Sequence, residues 1–271
     1  PPPPPPFSSR RRHTRSGPQS RGLGDVYKRQ LLPGELAAAD GWSLAAVCRP
    51  AEEVGGDFYA ELPGRIDGEH VVVYGDVSGK SISGALMMMA AHEVLKSVAL
   101  AHPEPEKLLE LANERLYALR SGRNQRNQQG GSFVALGYLG FRPGQGLLSY
   151  TLAGQPPPMV RRNSGTVDCL EMPEHRLPLG AMRVGGHRML EVGLDAGDLV
   201  VAYSDGVVEA QSPEGDFFGE DRLAQLIAEA PATPQEAVNY LLEEIEAFTG
   251  GHTPYDDVTL LAASWSSGDG D

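Results

Sequence analysis

The sequence predicts an α+β fold in which antiparallel sheets stack on one another under a cover of helices. Three observations lead there. Apolar runs of strand length outnumber helical stretches. The helices do not alternate strictly with the strands, as a parallel α/β sheet would require. Several strands are joined by Gly/Pro turns such as Arg142-Pro143-Gly144. There is no internal repeat.

Leu31-Leu32-Pro33-Gly34 reads as the end of an upstream helix or linker. Ser43–Arg49 reads as a strand. Val71–Tyr74 is a continuous apolar run ending in Gly75-Asp76, the pattern of a buried strand. Gly84–Ala101 is built from Ala, Leu, Met and Val and predicts a buried helix, with Met87-Met88-Met89 as core. Pro105–Arg120 is amphipathic, with Leu109, Ala112, Leu116 and Leu119 on one stripe, and Ser121–Gly131 is a polar, Gly-flanked loop. Phe133–Leu139, Leu147–Leu152 and Met159–Arg161 read as strands. So does Leu199–Tyr203, which closes on Ser204-Asp205-Gly206. Asp221–Ala228 is a short helix. Thr233-Pro234-Gln235-Glu236 has the form of a capping box with proline in the first turn. The helix it opens sets Val238, Leu241, Leu242, Ile245 and Phe248 on one face, and Asp257–Ser264 is the last strand.

The 271 residues are 41% hydrophobic and 22% charged, enough for one large domain or two small ones. Lys and Arg number 23 against 36 Asp and Glu, a formal charge of −13. Residues 1–30 carry seven of those basic residues and one acid, so the remainder stands at 16 against 35, or −19. A chain this acidic does not bind nucleic acid by bulk charge. Residues 1–30 combine a run of six prolines with an Arg-rich stretch and resemble translated adapter read-through. They are expected to be a disordered, non-native tail, with the natural start and upstream domains missing. The expected folded domain is 31–265, followed by a disordered tail over 266–271. Cys48 and Cys169 are the only cysteines. That excludes a disulfide scaffold and a Cys-rich zinc site, and it predicts a cytoplasmic protein with both thiols as small buried residues. No run approaches the ~18 apolar residues of a membrane span.

The chemistry is expected at aspartates that sit beside glycine or at strand ends. These are Asp57 in Val54-Gly55-Gly56-Asp57-Phe58-Tyr59, Asp76 in Gly75-Asp76-Val77-Ser78-Gly79-Lys80, Asp205 in Ser204-Asp205-Gly206, and Asp256-Asp257 before Val258-Thr259. Two carboxylates ~4 Å apart repel by about 4 kcal/mol at an effective dielectric of 20. If the aspartates converge, a divalent cation removes that conflict, and all-oxygen ligation selects Mg²⁺ or Mn²⁺. Two such ions ~3.5–4 Å apart acidify a bridging water and clamp a phosphoryl group. Taken singly, Ser-Asp-Gly and Asp-Asp are ordinary turn sequences. Gly79-Lys80-Ser81 is not a phosphate loop, because Tyr74 stands where the first glycine belongs. Gly55-Gly56-Asp57-Phe58 lacks the extra acidic residue of the diguanylate cyclase signature and precedes nearly the whole fold.

In order, the pieces form one pattern. Pro50-Ala51-Glu52-Glu53-Val54-Gly55-Gly56-Asp57-Phe58-Tyr59 and Gly75-Asp76-Val77-Ser78-Gly79-Lys80 come first. Ala153-Gly154-Gln155-Pro156-Pro157, Pro178-Leu179-Gly180, Ala196-Gly197-Asp198, Tyr203-Ser204-Asp205-Gly206-Val207-Val208-Glu209-Ala210, Phe218-Gly219 and Asp256-Asp257-Val258-Thr259 follow. This series resembles the bacterial SpoIIE-like branch of the PPM metal-dependent serine/threonine phosphatases, across about Leu31 to Trp265.

The resemblance implies an α-β-β-α sandwich of two antiparallel sheets with two Mn²⁺ or Mg²⁺ ions at one edge. It implies Asp57, Asp76, Asp205 and Asp256 as the catalytic, metal-binding carboxylates, with the Val77 carbonyl as a further ligand. Asp257 is implied as another ligand or as a support for the ligands, with Thr259 supporting it. Lys80, Arg123, Arg126 and Gln155 are candidates for substrate binding. Three positions depart from the family pattern: Ala60 replaces a second Asp, Ser81 a glycine, and Gln155 a histidine. The function implied is hydrolysis of phosphoserine or phosphothreonine on a STAS-type anti-sigma-factor antagonist. An upstream sensory domain and a homodimer are implied partners. The alternative is a weakened or inactive interaction module of the same fold.

Overall fold

The computed structural model describes residues 36, 40–51, 55–78, 82–124, 132–252 and 255–267, without the side chains at 82, 83 and 122–124. Residues 1–30, the Leu31–Gly34 segment and the end of the C-terminal tail lie outside the described residues.

The chain runs β1 (Trp42–Arg49), β2 (Phe58–Pro63), β3 (His70–Val77), α1 (Ile82–Ala99), α2 (Pro105–Asn124), β4 (Val134–Phe141), β5 (Leu147–Ala153), β6 (Met159–Arg161) and β7 (Val167–Cys169). It continues through β8 (Leu190–Gly193), β9 (Leu199–Tyr203), α3 (Asp205–Val208), α4 (Glu220–Glu229), α5 (Pro234–Phe248) and β10 (Val258–Trp265). One sheet has the order β1-β10-β9-β6-β7 and the other β2-β3-β4-β5-β8. Paired strands are antiparallel throughout.

Strand alternation builds four layers. Val72 and Tyr74 of β3 join Leu139, Leu152, Val200, Ala202 and Leu261 in the core between the sheets. Their neighbours Val71, Val73 and Val77 face the other way, into a core with Met87, Met88, Leu95, Leu108 and Leu116 of α1 and α2. On the far side, Leu199, Val201 and Tyr203 of β9 pack on Leu223, Ile227, Val238, Leu241 and Ile245 of α4 and α5. The order is helices, sheet, sheet, helices. Central strands buried on both faces have no polar side, which is why Val71–Tyr74 and Leu199–Tyr203 are unbroken apolar runs. Thr233 caps α5 as expected, its hydroxyl accepting from the Glu236 backbone N–H, but the Glu236 carboxylate takes the Thr233 hydroxyl rather than the backbone N–H that would complete a capping box.

Several expectations are corrected. Helix α1 is not buried all round: Met87 and Met88 are core, but Leu86 and Met89 are exposed. On α2, Leu119 is exposed, and Leu108 takes its place in the core with Leu109, Ala112 and Leu116. The helix also continues to Asn124 rather than yielding to a loop at Ser121, whose hydroxyl bonds back to the Tyr117 carbonyl one turn earlier. Cys48 is half-buried and Cys169 exposed. Among the described residues no helix is long and apolar enough to cross a membrane.

Candidate active site

Register places the aspartates at one end of the sandwich. Arg49 at the end of β1 pairs with Val258 at the start of β10, and Tyr203 at the end of β9 pairs with Leu260. In the other sheet Phe58, the first residue of β2, pairs with Gly75, and Asp76 on β3 lies opposite Ala135 on β4. Asp57 precedes β2, Asp76 is one residue from the end of β3, Asp205 follows β9 and opens α3, and Asp256-Asp257 precede β10.

Asp57 is buried, and its Oδ2 accepts the Thr259 hydroxyl at 2.7 Å. Thr259 is also buried, and its own backbone N–H donates to Ser204 Oγ at 3.0 Å. Thr259 therefore supports Asp57 and not, as expected, Asp257. Asp257 is buried and turned onto the backbone: Oδ1 accepts from Ala51 N–H at 2.7 Å, and Oδ2 from Gly56 N–H at 2.6 Å and Asp57 N–H at 3.1 Å. Its own N–H donates to Asp256 Oδ1 at 3.0 Å. Gly206 lies so close to the Asp257 carbonyl that a Cβ there would come within 1.9 Å of the oxygen, so the Asp205-Gly206 turn admits no side chain. The Val77 carbonyl faces Gly56, 2.8 Å from where a Cβ would stand.

The carboxyls act on one another. Asp57 is held well above the ordinary carboxylate range by burial and then by the charge of Asp76, against the stabilising bond from Thr259. Asp76 is pushed up to about 7 by burial and by the charges of Asp205, Asp256 and Asp257. Asp205 is raised by the protein packed around its carboxyl and by Asp256, although the residue keeps an exposed surface. Clustered acids held in this way are a site for positive charge. Among the described residues, however, no three His, Cys, Asp or Glu side chains are close enough to hold an ion as placed. Asp257 spends both oxygens on backbone amides and Asp57 one oxygen on Thr259. The donor chemistry fits a hard divalent cation: oxygen only, acidic, and destabilised until charge is supplied.

The substrate-binding candidates are placed differently. Gln155 is buried and donates to the Ala135 carbonyl at 3.4 Å, across the strand pair from Asp76, while its Oε1 has no partner among the described residues. Arg123 lies in α2, and Lys80 and Arg126 lie outside the described residues. Ala60 belongs to the core beneath α1 and α2. Sequence reasoning missed Ser204, whose hydroxyl ties the end of β9 to β10. The only signal for it was its place beside Asp205.

Residues 66–266 match the family described as Stage II sporulation protein E (SpoIIE). Among curated proteins the chain is similar to Protein IcfG of Synechocystis sp., at 25% identity over 264 residues, covering 88% of this chain and 40% of that protein. It is also similar to Phosphoserine phosphatase RsbU of Bacillus subtilis, at 23% identity over 236 residues, covering 86% of this chain and 66% of that protein. The chain thus spans two-fifths to two-thirds of the length of these relatives. Among solved structures, the SiaA-PP2C domain of Pseudomonas aeruginosa shares the fold with a TM-score of 0.73 at 20% identity, covering 92% of this chain and 96% of that one. RsbX in complex with magnesium does so with a TM-score of 0.58 at 13% identity, covering 86% and 99%.

Proposed function

We propose that this chain, which belongs to the SpoIIE family of PP2C-type serine/threonine phosphatase domains, is a working metal-dependent phosphoprotein phosphatase. The observation that carries the reading is the gathering of Asp57, Asp76, Asp205 and Asp256 at one end of the sandwich, with Asp57, Asp76 and Asp205 held above the ordinary carboxylate range. These four side chains and the Val77 carbonyl would hold two Mn²⁺ or Mg²⁺ ions. When bound, such ions acidify a water and neutralise phosphoryl oxygens. Thr259 holds the Asp57 carboxylate through its hydroxyl, and Ser204 fixes Thr259 through the backbone. In the net reaction one water adds to phosphorus, the bond from phosphorus to the serine or threonine oxygen breaks, and that oxygen leaves as a hydroxyl.

The protein substrate that suits this family is a phosphorylated STAS-type anti-sigma-factor antagonist, with an upstream sensory domain and a homodimer as the regulatory context. The Ala60 departure gives no support to an inactive module, because that side chain packs in the helix-facing core. The test is release of phosphate from p-nitrophenyl phosphate and from a phosphoserine STAS protein, with Mn²⁺ and then with EDTA. Release that depends on metal is expected. No release from either substrate at any Mn²⁺ concentration contradicts the reading and favours a non-catalytic module.

A further inference from the structure

We infer that Asp257 is a positioning residue for the metal site: its carboxylate docks the chain entering β2 and so sets how tightly the site takes a divalent cation. The inference rests on the phosphatase reading above. A carboxylate offers about four lone-pair directions. Asp257 uses three of them on the Ala51, Gly56 and Asp57 amides, at 2.7, 2.6 and 3.1 Å. Gly55 gives way to it, since a Cβ at that position would stand 2.3 Å from Asp257 Oδ2.

The rest of the residue holds the other segments. The Asp257 N–H donates to the Asp256 carboxylate, its carbonyl accepts from the Ser204 hydroxyl at 3.4 Å, and the same carbonyl packs against Gly206. One buried residue therefore contacts the segments that carry Asp57, Asp205 and Asp256. These lie far apart in sequence and must be brought into register before one ion can meet them together. A group that orients ligands in this way typically changes metal affinity by 10–100-fold when removed.

The test uses the full chain and two variants. Asp257→Asn keeps the shape but puts an NH₂ where an acceptor stood. Gly55→Ala leaves the charge in place and displaces the carboxylate with a methyl group. Calorimetric titration with Mn²⁺ is expected to show the dissociation constant rising about 10–100-fold in both. Raising Mn²⁺ is expected to recover most of the lost turnover of p-nitrophenyl phosphate. Amide exchange at Ala51, Gly56 and Asp57 is expected to quicken at least about tenfold, while the central strands stay protected.

Wild-type affinity in both variants overturns the inference. Turnover that stays abolished at saturating Mn²⁺ in Asp257→Asn but not in Gly55→Ala also overturns it, because Asp257 would then be a ligand itself. A wild-type chain that binds no Mn²⁺ overturns the phosphatase reading, and this role falls with it. If Asp257→Asn fails to fold, Gly55→Ala carries the test alone.

Discussion

Asp76→Asn is expected to lower metal-dependent hydrolysis of p-nitrophenyl phosphate at least ~10²–10³-fold while leaving a folded protein. Asp76 stands at the end of β3 and feels three other site carboxyls, those of Asp205, Asp256 and Asp257. An amide there has neither the charge nor the second anionic oxygen that a hard cation requires. The backbone consequences are small, because the ladder that holds Asp76 opposite Ala135 is made by main-chain groups. Asp205→Asn is expected to act in the same direction, since Asp205 enters the site from the other sheet at the mouth of α3. Circular dichroism and phosphate release on the same preparations check both variants. Full activity in either, with a native spectrum, would remove that residue from the machinery.

The second large effect is on stability without metal. Asp76 has an ordinary value of 3.8 and is pushed up to about 7 in the folded protein. Between those values the unfolded chain has released its proton and the folded chain still holds it. Folding stability of the metal-free protein therefore falls as pH rises from about 4 towards 7, and the full penalty applies above the folded value. Asp57 and Asp205 are shifted in the same direction and add to the slope. For Asp76 alone the penalty is on the order of 2–4 kcal/mol. Urea unfolding in EDTA is expected to show lower stability at pH 8 than at pH 5.5, with Asp76→Asn more stable than wild type at pH 8. Mn²⁺ at a hundred times its dissociation constant is expected to return about 2.7 kcal/mol to the wild type. Equal stability at both pH values in EDTA, with no gain from Asp76→Asn, would mean that neither burial nor the neighbouring carboxyls destabilise the ionised Asp76.

Much of the frame is legible in the sequence because the physics is local. A strand covered on both faces must be apolar along its length, so β3 and β9 announce themselves. The capping pattern at Thr233 marks the start of α5 to the residue. What stays hidden depends on distant partners. Strands β7 and β8 lie at sheet edges, where Val167-Asp168-Cys169 and Leu190–Gly193 are half-exposed and carry no sharp pattern. Helix α3 is too short for periodicity and sits inside what reads as a Ser-Asp-Gly turn.

The site shows the same division. Glycine beside aspartate at strand ends points to Asp57, Asp76, Asp205 and Asp256 as residues. Which of them meet, and which are spent on the protein, depends on a ladder 200 residues long in sequence separation. The Asp57 N–H reaches Asp257, and the Thr259 hydroxyl reaches Asp57, only because β10 returns beside β1. The 155 position shows the limit most plainly. Gln155 stands in the Ala153-Gly154-Gln155-Pro156-Pro157 motif as a candidate for substrate binding, yet its side chain is buried against Ala135.

The most direct measurement is anomalous scattering from crystals grown in Mn²⁺. Peaks are expected at the end of the sandwich, with oxygens of Asp57, Asp76, Asp205 and Asp256 at coordination distance, about 2.0–2.6 Å. A map with no peak among these side chains at saturating Mn²⁺ would contradict the account.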